Sequence, residues 1–356
     1  MRQRQMPIYR AIQFLAMFSF MNTSEQSDAG SLTTIDPPGS VNTTVYGISG
    51  DNIVGSYHTS NNILTGFVYN GSTYMTIAPP GAIYSEVDAI AGNYMAGVYN
   101  NGGVDRGFVY NGASYSTFAV PDGSLPLGVL AVTGVSSAGN VVGNEWVSGH
   151  TIGAYEYNGS TVVSINVPGS ALTYAQGISG NDVYGFYSDG HGISYGFLFD
   201  GTTYTKMIGP PGPGNGAVTS FTTDGKTGVG YSDVVGLGRN FLYDVASQGY
   251  TLIPPDNNNS RVTLMSGNIA IGPEGHYWDG STWSQINLPA GDTLTYVYGI
   301  EGNNVIGIYN DAYGLQHGFE YQIDAVPEPS TICLLGFGGV VLVAVACRRR
   351  SARNVA

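Results

Sequence analysis

The chain carries few side chains with versatile chemistry, and its five histidines stand out because imidazole titrates near neutral pH and binds transition metals. The histidines, and two arginines that fall at comparable places in the chain, are His58, His150, His191, His276, His317, Arg106 and Arg239. No two histidines have the i, i+2 or i, i+4 spacing of ligands on one strand or helix. We therefore predict no metal site. The pattern indicates a recognition face formed from several segments, or simply polar residues that collect in loops.

Motifs for enzyme chemistry are missing from the sequence. It has no serine nucleophile elbow, no phosphate-binding glycine loop and no His-Glu helix motif. Both cysteines, Cys333 and Cys347, lie near the C-terminus, so the body of the chain has no thiol and no disulfide. We predict no catalytic residue and no cofactor. Paired carboxylates that converge in the centre of the fold remain an open alternative.

The C-terminal segment combines a short polar motif, an apolar run and a basic cluster. Its motif and basic residues are Val326, Pro327, Glu328, Pro329, Ser330, Arg348, Arg349 and Arg350. The seventeen apolar residues between them, 331–347, are at the short end of a membrane-spanning helix. Basic residues stay on the cytoplasmic side, so the preceding chain would lie outside. An ordinary permanent anchor with a proline linker is the alternative.

This tail resembles the PEP-CTERM sorting signal of Gram-negative bacteria that make extracellular polysaccharide, with Pro327, Glu328 and Pro329 as the motif residues. The resemblance implies processing by an exosortase, a membrane-embedded cysteine transpeptidase or protease that cuts near the motif after export. The membrane anchor would then be transient. The mature protein would go to the cell surface or the extracellular matrix.

The N-terminus has the layout of a secretory signal peptide. Three arginines among the first ten residues precede an eleven-residue apolar stretch, residues 11–21. Small residues at Ser27 and Ala29 allow a cut before Gly30, so we predict a signal peptide over residues 1–29. An uncleaved N-terminal anchor is the alternative.

Between these ends, residues 30–325 are strongly acidic. They contain 22 acidic and five basic residues, a net charge of −17. Such a charge argues against nucleic acid and anionic membranes as partners of this region. The chain also has 53 glycines, which predicts many tight turns and few helices.

Residues 30–325 repeat a unit of about forty residues. An aromatic residue, preceded by glycine in four of the seven copies, recurs as Phe67, Phe108, Tyr155, Phe197, Phe241, Tyr277 and Phe319. An independent glycine recurs as Gly55, Gly97, Gly143, Gly185, Gly230, Gly272 and Gly307. Each copy except the seventh contains four strand-like runs, with glycine-containing turns after strands one and three. A period near forty with four short strands predicts an all-β, seven-bladed β-propeller.

Turn residues predict how each blade is built. Asn-Gly and Asp-Gly pairs between strands three and four predict tight primed hairpins with two positive φ angles. The connections between strands two and three vary in length and lie on the opposite face. The histidines and both arginines named above fall in or at these variable connections, which makes that face a candidate recognition face.

The ends of the repeat predict how the ring closes. The seventh copy lacks a fourth strand, whereas residues 31–39 form an unpaired fourth strand ahead of the first copy. We predict that this N-terminal strand completes the last blade. An open solenoid or a two-sheet sandwich is the alternative. The unit also resembles HAF-type repeats of exported bacterial proteins, through residues 317–321.

Together these features predict three regions: a signal peptide at 1–29, a seven-bladed propeller at 30–325, and a sorting tail at 326–356 with a transmembrane helix at 331–347. The expected function is a non-catalytic, exported binding or structural protein. Its expected partners are an exosortase-type enzyme and exopolysaccharide or another surface protein. The alternatives are a carbohydrate-active propeller enzyme, a hydrolase or lyase, and a permanent inner-membrane protein.

Overall fold

The computed structural model of the protein describes residues 30–324 except 120–130, 148–150, 192–193, 209, 211–215, 222–224, 235–236, 257 and 259. The chain divides into two compact units, Met1–Ile323 and Asp324–Ala356, and every described residue except Asp324 belongs to the first. The predicted signal peptide, sorting motif and transmembrane helix lie outside the described residues. Within the described part of the chain, no helix has the length and hydropathy needed to cross a membrane.

The described residues form 28 strands and no α-helix, as the sequence predicts. In chain order they are β1 (Ser31–Ile35); blade 1, β2 (Ser40–Ser49), β3 (Asn52–Thr59), β4 (Leu64–Tyr69), β5 (Tyr74–Ile77); blade 2, β6 (Tyr84–Ala91), β7 (Tyr94–Asn100), β8 (Arg106–Tyr110), β9 (Tyr115–Phe118); blade 3, β10 (Ala131–Val135), β11 (Val141–Val147), β12 (Thr151–Tyr157), β13 (Val162–Ile165); blade 4, β14 (Leu172–Ser179), β15 (Asp182–Ser188), β16 (Ser194–Phe199), β17 (Tyr204–Met207); blade 5, β18 (Gly216–Phe221), β19 (Thr227–Val234), β20 (Leu237–Asp244), β21 (Gly249–Leu252); blade 6, β22 (Leu264–Ser266), β23 (Ile269–Ile271), β24 (His276–Trp278), β25 (Trp283–Gln285); and blade 7, β26 (Thr293–Glu301), β27 (Asn304–Asn310), β28 (Gln316–Gln322).

The blades form the predicted seven-bladed propeller. Each blade is a four-stranded antiparallel meander, and blades 4 and 5 also share one parallel pair between Tyr195 and Gly216. The first strand of every blade contacts the first strand of the next blade, and β26 of blade 7 meets β2 of blade 1. The seven first strands therefore surround a common axis, and the other strands lie progressively further out.

Strand β1 closes the ring as predicted. It pairs antiparallel with β28, from Ser31 opposite Gln322 to Ile35 opposite Gly318. Because β1 takes the place of the fourth strand of blade 7, we call it the closing strand.

A repeated hydrogen bond confirms this assignment. The amide after the fourth strand of a blade donates to the first tyrosine of the next blade's fourth strand, as in Ala78 to Tyr115 at 3.1 Å. The amide of Asp36, directly after the closing strand, donates to Tyr74 of blade 1 at 3.0 Å. The closing strand thus joins blade 1 by the contact that links interior blades.

The two sequence landmarks of the repeat pack against each other. In blade 2, Gly97 lies opposite Phe108 in the strand pairing, and the Phe108 side chain is 0% exposed. A Cβ on Gly97 would lie 1.9 Å from the carbonyl oxygen of Glu86 in the first strand. Glycine is required there because the first strand approaches too closely for any side chain. A Cβ added to the equivalent glycines of other blades would lie 1.8–2.3 Å from the equivalent carbonyl oxygen of the same blade. These glycines are at 55, 143, 185, 272 and 307.

The turns after the third strands differ from the prediction. We expected two-residue primed turns, but β4 and β5 are joined by a four-residue loop, 70–73, in which only Gly71 has positive φ. The Asn70 side-chain oxygen accepts hydrogen bonds from the amides of Ser72 and Thr73, at 3.1 and 2.8 Å. The prediction was wrong because the asparagine caps the turn with its side chain and so avoids the left-handed backbone.

Candidate functional site

The first strands carry an irregularity that the repeat analysis did not anticipate. In most blades the pairing of strands one and two shifts by one residue, so one residue of the first strand is left without a partner. These β-bulge residues are Tyr46, Asp88, Thr133, Gln176 and Tyr298, and the shift in β18 falls at Thr219. A bulge re-aims a side chain. Here the bulges at Tyr46, Asp88, Thr133, Gln176 and Tyr298 place five different side chains beside the axis.

These bulge residues line a cavity on the propeller axis. It has a volume of about 780 Å³, and we call it the axial cavity. Its lining includes Tyr46, Asp88, Thr133, Gln176, Tyr298, Tyr174, Tyr296 and Arg261. Small-molecule sites commonly occupy several hundred cubic ångströms and combine aromatic walls with a few polar groups. By that criterion the axial cavity is the strongest candidate site in the described part of the chain.

An acidic pair lies on the blade 2 side of the cavity. Asp88 lines the cavity, and Glu86, two residues earlier on β6, lies on the same face of the strand; both are half-buried. Enclosure by protein, and next the charge of Glu86, raise the pKa of Asp88 well above its usual range. Burial, the charge of Glu86 and a hydrogen bond to it raise the pKa of Tyr46. Among the described residues, no cation forms an ion pair with either carboxylate.

Tyrosine rings form the wall beside this pair. The ring centroids of Tyr46 and Tyr298 lie 5.2 Å apart with planes at 78°, and those of Tyr296 and Tyr298 lie 4.8 Å apart. Tyr296 is 43% exposed, so it offers an open ring face. Such rings stack on the apolar faces of ligands while their hydroxyl groups remain available for hydrogen bonds.

Polar groups complete the lining. The Oε1 atom of Gln176 is buried and has no hydrogen-bond partner, which is costly unless a ligand or water satisfies it. Arg261 is the basic residue of the lining, and its guanidinium carbon lies 4.7 Å from the centroid of the Tyr231 ring. The cavity can therefore stack rings and form hydrogen bonds with hydroxyl, amide and charged groups.

The predicted recognition face is distributed over several blades. His58 lies near the end of β3, Arg106 begins β8, and His191 is exposed in the connection after β15. His276 begins β24 and lies 3.4 Å from an oxygen of Asp256. His150 and the side chain of Arg239 lie outside the described residues.

His317 has a structural partner at the ring closure. Its Nδ1 atom lies 2.6 Å from Asp36, which follows the closing strand, and its Nε2 atom lies 3.5 Å from Asp311. Burial alone would lower the pKa of His317, but the hydrogen bond and charge of Asp36, then those of Asp311, outweigh it and raise that pKa.

The structure does not bring these candidate residues into one constellation. No group of three or more histidine, cysteine, aspartate or glutamate side chains among the described residues is placed to hold a metal ion. The recognition face therefore stays a prediction.

Sequence reasoning missed the bulge residues, although a pattern was present. In each of the six blades with a bulge a small apolar residue precedes it and a small residue follows it, as in Val87, Asp88 and Ala89. The central position alone varies widely in size and polarity. A position that varies while its neighbours stay uniform indicates an exposed surface with a role of its own.

Comparison with protein families identifies the C-terminal tail. Residues 325–350 match the family described as the PEP-CTERM protein-sorting motif. This confirms the resemblance seen in the sequence, and it implies an exported protein that an exosortase-type enzyme processes, with a transient membrane anchor. The likeness to HAF-type repeats stays a prediction. Comparison with curated protein sequences finds no match.

Comparison with solved structures supports the fold. The chain is similar to an oligogalacturonate lyase in complex with manganese, with a TM-score of 0.58 at 10% identity over 84% of this chain and 94% of that chain. It is also similar to the β-propeller domain of the Trilobed protease from Pyrococcus furiosus, which has an open velcro topology, with a TM-score of 0.53 at 10% identity over 82% and 100%. A third similar structure, YCF48 bound to D1 peptide, has a TM-score of 0.50 at 13% identity over 85% and 98%. These identities show a shared propeller fold alone.

Proposed function

We propose that this protein is a non-catalytic, exported propeller of the cell surface or exopolysaccharide matrix that binds a saccharide in its axial cavity. The observation that carries the proposal is the lining of that cavity. Tyrosine rings such as Tyr296 suit the apolar faces of sugar rings, and the amide of Gln176 and carboxylate of Asp88 suit hydroxyl groups.

The sorting tail supports a location where such a ligand is abundant. The tail at 325–350 matches the PEP-CTERM motif, which resembles a sorting signal of bacteria that make extracellular polysaccharide. The histidines of the predicted recognition face contribute less to the proposal, because His276 and His317 already pair with carboxylates.

A glycan array probed with the full-length chain tests the proposal. We expect retention on a subset of oligosaccharides, and loss of that retention in Tyr296→Ala. Tyr250→Ala is a matched control, because Tyr250 is 41% exposed and lies on the outer strand of blade 5. An array with no retention, or equal loss in both variants, would contradict binding in the axial cavity.

A second candidate function rests on the acidic pair. The Cα atoms of residues at alternate strand positions are about 7 Å apart, so their carboxyl groups can reach the separation used by glycosidases. A raised pKa, as at Asp88, is what a general acid requires. A carbohydrate-active enzyme would release new reducing ends or unsaturated products from a polysaccharide, and Glu86→Gln and Asp88→Asn would abolish that release. Absence of product with the wild-type chain would remove this candidate.

A further inference from the structure

The charge arrangement of the axial cavity narrows the ligand class. Glu86 and Asp88 belong to blade 2, whereas Arg261 belongs to the segment that enters blade 6. Blades 2 and 6 are three places apart in a ring of seven, so the acidic pair and the guanidinium occupy well-separated sides of the cavity. The guanidinium is also engaged with the Tyr231 ring at 4.7 Å.

The acidic pair consequently has no cation of its own. None of the described residues forms an ion pair with Glu86 or Asp88. Two enclosed carboxylates that lack a counterion repel each other and are poorly solvated. A positively charged ligand group would relieve both effects.

The surroundings of the pair suit an organic cation. The rings of Tyr46 and Tyr298 pack at 78° to each other, and both residues line the cavity together with Asp88, so ring faces and a carboxylate border the same space. Ammonium groups are attracted to tyrosine faces as well as to carboxylates. A metal ion is less suited, because no group of three or more ligating side chains is formed among the described residues.

A second, independent polar group lies in the same cavity. The buried Oε1 atom of Gln176 accepts no hydrogen bond from the protein. The terminal torsion of a glutamine side chain is broad, so rotation of the amide can turn this unsatisfied acceptor into the cavity, where hydroxyl or ammonium groups of a ligand can donate to it.

From these observations we propose that the Glu86–Asp88 side of the axial cavity binds the ammonium group of an amino sugar. The inference rests on the proposed function, because it names the class of saccharide that the same cavity takes. The tyrosine wall stacks on the sugar ring, the carboxylates receive the ammonium, and Gln176 accepts from a hydroxyl group.

Isothermal titration calorimetry of the full-length chain with three probes tests this inference. The probes are a glucosamine tetrasaccharide, the matched N-acetylglucosamine tetrasaccharide, which is neutral, and putrescine, a diamine without sugar rings. A charge-assisted hydrogen bond corresponds to about a tenfold to hundredfold difference in affinity. We expect the glucosamine oligomer to bind more tightly than either other probe by about that factor.

Variants assign the effect to the acidic pair. In Asp88→Asn and Glu86→Gln the affinity for the glucosamine oligomer should fall more than the affinity for the N-acetylglucosamine oligomer, so that the preference for glucosamine falls to about threefold or less. Asp51→Asn is the matched control, since this acid is exposed in the turn after β2, and it should keep the full preference.

Each other outcome overturns a defined part of the inference. Equal or tighter binding of N-acetylglucosamine would refute the ammonium site while leaving saccharide binding intact. Putrescine binding as tightly as glucosamine would refute the sugar assignment. Binding of none of the three probes would refute the amino-sugar class, and the glycan array would then decide the proposed function separately.

Discussion

Replacing Ile35 by alanine tests whether the closing strand holds the ring together. Ile35 is the last residue of β1 and is 0% exposed. Its side chain packs in a cluster with Val45 and Phe67 of blade 1 and Ile306 of blade 7. The isoleucine thus bridges the first and last blades.

The expected magnitude follows from burial. Truncation of a fully buried isoleucine to alanine costs about 2–5 kcal/mol, because transfer free energy is lost and a cavity remains. An unfolding entropy of about 2.1 cal/mol/K per residue over residues 30–324 makes 1 kcal/mol equivalent to about 1.6 °C, so the melting temperature of Ile35→Ala should fall by about 3–8 °C.

Ile77→Ala is the matched control. Ile77 ends β5, the fourth strand of blade 1, and is also 0% exposed, so it occupies the position of Ile35 in an interior blade. Urea unfolding of the full-length chain can be followed by the fluorescence of Trp278 and Trp283, which lie in blade 6 next to the closed seam. The two variants should be destabilised to a similar extent. If Ile77→Ala lowers stability and Ile35→Ala does not, the closing strand is not part of the stable fold.

Three further predictions follow from the packing and charges. Gly97→Ala should destabilise the protein by about 1–3 kcal/mol or more, because its Cβ would lie 1.9 Å from the Glu86 carbonyl oxygen, whereas Gly103→Ala in an open loop should change the urea midpoint little. The pKa of His317 is raised in the folded state, so its stabilising contribution is complete below about pH 6.5 and is lost as pH rises through the folded-state pKa. His317→Asn should therefore flatten the decline in melting temperature from about pH 6 to 9. An unchanged slope would refute this prediction. Because folding raises the pKa of Asp88, ionisation of this side chain opposes folding above about pH 4. Asp88→Asn should therefore raise the melting temperature at about pH 7 and give no increase below about pH 4. A lower melting temperature of the variant at about pH 7 would contradict the raised pKa.

The sequence was sufficient to predict the architecture because the repeat records packing. A glycine and an aromatic residue recur at the positions of Gly97 and Phe108. The glycine lets the first strand approach the second closely, and the aromatic ring, on the third strand opposite it, fills the core of the blade. Ring closure was predictable for a similar reason. The sequence has an unpaired strand at one end of the repeat and an incomplete blade at the other, and pairing the two satisfies both. The closing strand, which ends at Ile35, forms this pairing with β28.

The candidate site was less accessible from the sequence. The bulge that turns Asp88 toward the axis is a shift in the pairing of two strands. It follows the pair formed by Val87 and Gly97 of the next strand, so no motif within one strand reveals it. The histidines attracted attention by residue type, yet His317 serves the closure of the ring. Composition could not indicate that Glu86 and Asp88 face a cavity without a cation beside them.

The most direct test of the account is to fill the axial cavity. Gln176→Trp places a bulky ring at a bulge position in the cavity lining, whereas His191→Trp places the same ring on the predicted recognition face. Calorimetry of both full-length variants with the glucosamine and N-acetylglucosamine tetrasaccharides should show binding lost in Gln176→Trp and retained in His191→Trp, with melting temperatures similar to the wild type. Retained binding in Gln176→Trp, with loss in His191→Trp, would show that the ligand binds at the predicted recognition face and that the axial cavity is not the site.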